Sequence, residues 1–172
     1  MKQKQKGFSL IELLIVVAII LIIAAIAIPN LLKARIAANE ASAVGTLRTM
    51  NTASVTYQST YNNGFPSAFT VFGGPPPGTC ALSNLLDTTL TTTGQKSGYT
   101  LSYTLVKALT TPATGCGTAG AATYVTAAVP LSVNATGNRT FCSDESGVIH
   151  VDPAGGAAPA TDTACEALSA LQ

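Results

Sequence analysis

Charge is scarce in this chain. Lys, Arg, Asp and Glu make up 10% of 172 residues, aromatics make up 6%, there is no Trp, and His occurs once. Each shortage removes a class of function. No basic patch with interleaved aromatics is present, which argues against nucleic-acid binding. The lone His150, on a segment beside Ile149 and Val151, has no matched nucleophile and forms no triad. The glycine-rich stretch Gly73-Gly74-Pro75-Pro76-Pro77-Gly78 lacks the lysine and following helix of a phosphate cradle and reads as a turn with a short polyproline segment. Asp144, Glu145, Asp152 and Asp162 are scattered, without the spacing of a calcium loop. The residues point to no metal, no cofactor and no enzyme.

Apolar residues are plentiful instead. They make up 47% of the chain, and mean hydropathy is +0.38, high for a soluble domain. The excess gathers near the N-terminus. From Leu13 to Ile28 all 16 residues are Leu, Ile, Val or Ala. With Phe8 to Glu12 and the turn after Pro29, the segment reaches the roughly 20 residues of a membrane span. Lys2, Lys4 and Lys6 precede it and would hold the N-terminus in the cytoplasm. Beyond Gly7 six Lys or Arg stand against eight Asp or Glu, so the remainder is mildly acidic.

A secretory signal peptide is the plain alternative, and Ala24-Ala25-Ile26-Ala27 imitates its cleavage motif. Pro29, close to that cut, is unhelpful for it. Glu12 also opposes it, because an intramembrane carboxylate is costly and calls for a partner. The alternative for Glu12 is a side chain that snorkels to the interface. Local physics leaves the two readings of Glu12 near even.

The stretch Lys6-Gly7-Phe8-Ser9-Leu10-Ile11-Glu12-Leu13-Leu14, followed by the apolar run, resembles the processing site of type IV prepilins and of type II secretion pseudopilins. The likeness covers roughly the first third of the chain and is specific in its spacing. It implies that an inner-membrane prepilin peptidase cuts between Gly7 and Phe8 and methylates the new amine of Phe8. It implies that residues 1–7 are a leader and that Glu12 pairs with the N-terminal amine of a neighbouring subunit. An unpaired buried charge is costly and a paired one less so, which would fix axial register. The implied partners are further copies of the chain, the peptidase, an inner-membrane assembly platform and an outer-membrane secretin. The implied location is the inner membrane for the precursor, with its C-terminal part periplasmic, and a cell-surface filament after assembly.

Beyond the span, Ala, Leu and charged helix formers continue from Asn30 to Glu40. Ile36, Ala43, Leu47, Met50, Tyr57 and Tyr61 recur at three- and four-residue steps or their sums. Asn62-Asn63-Gly64-Phe65-Pro66 is a stop signal. One helix is therefore expected over 8–61, apolar in its first half (about 8–30) and amphipathic in its second, with a kink at Pro29. Residues 62–172 form the head. Within it Phe65 to Gly78 reads as loop and Ala81 to Leu90 as a short helix. Strands are expected at 99–106, at 123–129, and at 139–143 and 148–151 flanking the turn Asp144-Glu145-Ser146-Gly147. The fold class is α+β, a long helix on an antiparallel sheet of three or four strands. This agrees with the αβ roll implied by the resemblance, and Gly137 to Ile149 looks like the closing hairpin of many bacterial pilin heads.

Cys80, Cys116, Cys142 and Cys165 are even in number, lie past the apolar run and lack C-x-x-C spacing, so they read as disulfides in an oxidising compartment. Four cysteines allow three connectivities. Pairing Cys142 with Cys165, as the resemblance implies for a tail tied to the sheet, leaves Cys80 with Cys116. The leading function is a structural pilus subunit, a major pilin. A type II secretion pseudopilin shares the same N-terminus, and a clear C-terminal calcium loop would favour it. A tip-located minor pilin acting as an adhesin or DNA-binding module would carry a long insertion or a basic head. An enzyme anchored by its helix would need a catalytic constellation.

Overall fold

The computed structural model describes residues 9–171. The chain divides into two units, Met1–Arg35 and Ile36–Gln172, with the boundary inside helix α1 (Leu10–Tyr61). In the first unit α1 is apolar on every side. Pro29 sits inside the helix, which is unbroken there. Proline has no N–H to give to the carbonyl four residues back, that of Ala25.

In the second unit α1 shows the stripe its sequence spacing predicts. Ala43, Leu47, Met50, Ala53 and Tyr57 are buried, while Ile36 and Tyr61 at the ends of the stripe are half-buried. The helix stops at Asn62, whose backbone is left-handed (φ +50°) and whose amide reaches the Gln58 carbonyl at 2.9 Å. Asparagine tolerates that conformation and so serves as a C-terminal cap.

The sheet has six antiparallel strands in the order of the sequence. They are β1 (Gln95–Lys96), β2 (Tyr99–Ala108), β3 (Ala121–Pro130), β4 (Thr140–Asp144), β5 (Ile149–Asp152) and β6 (Ser169–Ala170). The four longer strands are those the alternation predicts. Two two-residue ribbons extend the sheet beyond the expected three or four. β1 folds back on β2 through Ser97 and Gly98, both at positive φ, the geometry of a tight two-residue hairpin.

The short helix expected over 81–90 instead lies at α2 (Thr88–Thr93). Asp87 sets its start, accepting from the amides of Thr89 and Leu90 at 2.8 and 3.1 Å. The supposed loop over 65–78 holds a 3₁₀ turn, Phe69–Phe72, that buries Val71 and Phe72. A last helix, α3 (Asp162–Glu166), follows a Thr161 cap.

One face of the sheet packs Tyr99, Leu101, Ala128, Phe141 and Ile149 against Ala43, Leu47, Met50 and Ala53 of α1. Burying such side chains stabilises by roughly 1.5–3 kcal/mol each, before the entropy of ordering them. The other face packs Val125, Ala127 and Cys142 against Cys165, with Leu168 alongside. Disulfides join Cys80 to Cys116 and Cys142 to Cys165.

Candidate functional site

The first unit supplies the feature that demands an explanation. Leu10, Ile11, Leu13, Leu14, Ile15 and Val16 are 49–81% exposed, and the most apolar 18-residue window of α1 has no buried residue. A helix apolar all round is stable only inside lipid or among other apolar helices. By length and composition this one is sufficient to cross a membrane.

Gly7 and Phe8, the expected cleavage pair, lie outside the described residues. Ser9 and Glu12 open the helix. The Ser9 amide donates to Oε2 of Glu12 at 2.9 Å, and the amides of Glu12 and Leu13 reach the Ser9 carbonyl at 3.1 and 3.3 Å. This is the glutamate half of a capping box. A carboxylate in the first turn also faces the positive end of the helix dipole. The signal was legible as Ser-x-x-Glu, a pattern that the reading of Glu12 as an isolated membrane charge passed over. Pro29 is five turns away and joins neither group.

In the second unit polar residues fasten α1 to the head. Glu40 is 7% exposed. Its Oε1 accepts from the Asn138 amide at 2.9 Å, and its Oε2 takes Nε and Nη2 of Arg139 at 2.9 and 2.7 Å. Asn51 donates to the Ser143 hydroxyl at 2.8 Å and accepts from the Tyr124 hydroxyl at 3.4 Å. Asn63 donates to the Thr118 carbonyl at 3.0 Å and accepts from the Ala113 amide at 2.8 Å. The Tyr57 hydroxyl donates to the Cys80 carbonyl at 2.8 Å, so the Cys80–Cys116 bridge is held against the end of α1. None of these residues stood out in sequence as a tether, because each depends on a partner far along the chain.

Burial pushes the Tyr99 hydroxyl up to about 12, with the Glu40 carboxylate adding to the effect. Burial also raises Tyr103 and Tyr124. Asp87 is held below the usual carboxylate range, first by the Leu90 amide and then by Thr89. His150 is buried, with Nδ1 2.9 Å from the Leu168 carbonyl. A carbonyl only accepts, so Nδ1 carries the proton and the ring serves the packing of the tail. Among the described residues no group of three or more His, Cys, Asp or Glu is arranged to hold a metal. The carboxylates of Asp152 and Asp162 are already engaged by turn amides.

Comparison with known proteins bears on the first unit. The model of the prokaryotic N-terminal methylation motif matches residues 2–28. The type IV wide pilus major component PilA4 of Thermus thermophilus is 71% identical over 35 residues, which is 20% of this chain and 27% of that protein. The likeness thus spans about a quarter of the curated relative. No solved structure matches the chain significantly. Residues 2–28 thus carry the prokaryotic N-terminal methylation motif on an apolar helix with an α+β head behind it, an arrangement similar to that of type IV pilins.

Proposed function

We propose that the chain is a structural subunit, the major one, of a type IV pilus, assembled through α1 after its leader is removed between Gly7 and Phe8. The observation that carries this reading is the uncovered apolar half of α1, which lies within the stretch that matches the methylation motif. A bilayer covers that surface in the precursor, and a bundle of identical helices covers it in the filament. The cut leaves a cationic, methylated amine on Phe8. Glu12, one helical turn on, pairs with that amine on a neighbouring copy and fixes register. Pro29 lets α1 bend as the span passes from lipid to the bundle.

The precursor stands in the inner membrane with the disulfide-bonded head in the periplasm, where oxidation is permitted. The prepilin peptidase, an assembly platform and a secretin act on it in turn. The chain itself does no chemistry. The relative's role as a major pilus component supports the choice of a major subunit over a pseudopilin or a minor tip protein.

The test is the N-terminus and intact mass of the chain in material sheared from cells. The expected result is an abundant filament protein beginning at methylated Phe8, lighter by two hydrogens for each of two disulfides. A soluble secreted protein beginning after Ala27 would overturn the reading.

A further inference from the structure

The two disulfides stand in unlike surroundings. Cys142 and Cys165 are both 0% exposed and pack with Val125 and Ala127. The other bridge lies at the surface. Cys80 is half-buried, and its neighbours Thr79 and Ala81 are exposed. Cys116 keeps 9% of its surface, in a loop where Thr114, Gly115, Gly117 and Thr118 are exposed. A Cβ added to Gly115 or Gly117 would meet nothing within 4 Å, so the space on either side of Cys116 is open.

The two sulfurs of the surface bridge also differ. Sγ of Cys80 lies 3.2 Å from the Tyr57 hydroxyl and 3.5 Å from Nδ2 of Asn63. Both of those side chains are buried. Both contacts fall on Cys80, and among the described residues Sγ of Cys116 has none of the kind. In the intact bridge the Tyr57 hydroxyl donates to the Cys80 carbonyl at 2.8 Å. A hydroxyl proton rotates to suit its acceptors, so it can turn to the sulfur once that atom carries charge. A thiolate that receives hydrogen bonds is favoured over its thiol, and a thiol of lower pKa is the faster leaving group in exchange.

We propose that the Cys80–Cys116 bridge is a site of reversible modification by a small-molecule thiol. The incoming thiolate attacks Sγ of Cys116 from the open side of the loop. A sulfur–sulfur bond forms to Cys116, the bond from Cys116 to Cys80 breaks, and its electron pair leaves on Cys80 as a thiolate held by Tyr57 and Asn63. Attack by the Cys80 thiolate on Cys116 expels the small thiol and restores the bridge. The opening is local, because other contacts keep the loop on the head. Asn63 holds the Ala113 amide and the Thr118 carbonyl, and Phe65 and Ala121 exchange backbone hydrogen bonds at 2.8 and 2.7 Å. Every residue involved belongs to the second unit, so the site does not depend on the subunit reading.

The test uses the full oxidised chain, folded in detergent and incubated with reduced glutathione. Samples are trapped at intervals with iodoacetamide in denaturant, and their peptides are mapped by mass spectrometry. The expected early product carries glutathione on Cys116 and the alkyl group on Cys80, with Cys142–Cys165 intact. The surface bridge is expected to open on the order of a hundredfold faster than the buried one. The proposal is overturned if the two bridges open at one rate, if neither opens until the head unfolds, or if glutathione is found on Cys80. Tyr57→Phe keeps the ring and removes the donor, so exchange at Cys116 is expected to slow by roughly threefold. A loosened head would instead speed exchange at both bridges, so an unchanged or faster rate removes the hydroxyl from the mechanism. If that variant does not fold, the position of the adduct in the native chain decides alone.

Discussion

Asn63 shows what one side chain contributes. It is 2% exposed, and its amide bridges Ala113 and Thr118 across the loop that Cys116 anchors. Replacing Asn63 with Ala leaves both backbone groups short of a partner, so about 1–3 kcal/mol of head stability is lost. Urea denaturation of the chain in detergent reads this directly, and an unchanged midpoint would refute the bridging role. In sequence Asn63 read only as part of a helix stop, because Asn-Asn-Gly is a local signal and its partners lie 50 and 55 residues on. Leu47, Met50 and Tyr57 were legible, because period alone places them on one face. Tyr99 gives a second prediction. Its hydroxyl titrates near 10.0 when unfolded and near about 12 in the fold. A raised value means the folded chain holds its proton longer. Its stabilising share is therefore whole below pH 10.0 and is lost as pH climbs toward about 12. Unfolding midpoints across that window are expected to fall, and to fall less in Tyr99→Phe.

Among the elements, those with long, regular patterns were the readable ones. Helix α1 and strands β2 to β5 declare themselves by spacings of about 3.6 and 2. The ribbons β1 and β6 have two residues each and exist only because a longer strand lies beside them. Helix α2 is Thr88-Thr89-Leu90-Thr91-Thr92-Thr93, poor in helix formers, so propensity could not locate it and the Asp87 cap did. The tail after Asp152 is held by α3 and by the Leu171 amide on the Ile149 carbonyl at 2.7 Å. The bridge to Cys142 closes a loop of separation 23. Removing it in Cys142→Ser/Cys165→Ser is expected to cost about 2–4 kcal/mol. Limited proteolysis should then cut between Asp152 and Leu171 ahead of the rest of the head. Equal resistance of the whole head would argue that packing alone secures the tail.

For the molecule as a whole, the proposed processing and the proposed assembly can be tested apart. Gly7→Val is expected to leave an uncleaved precursor in the membrane, since a side chain at the cut obstructs the peptidase; normal cleavage would sink that assignment. Glu12→Ala is expected to be inserted and cleaved yet give little filament. That variant also loses the Ser9 capping contact, which is confined to the first turn. A normal yield would leave Glu12 as a cap and nothing more. The methylation motif was legible because its residues are contiguous in sequence, whereas those of the tethers from α1 to the head are not. The sheet is a meander in which every strand lies beside its sequence neighbour, and the cysteines join first to second and third to fourth. In the proposed topology the segments beyond the span would cross in sequence order, so those partners would reach the oxidising side in the order in which they bond. Cys80 and Cys116 can close before Cys142 arrives, so an oxidase that joins cysteines as they appear gives the native bridges without reshuffling.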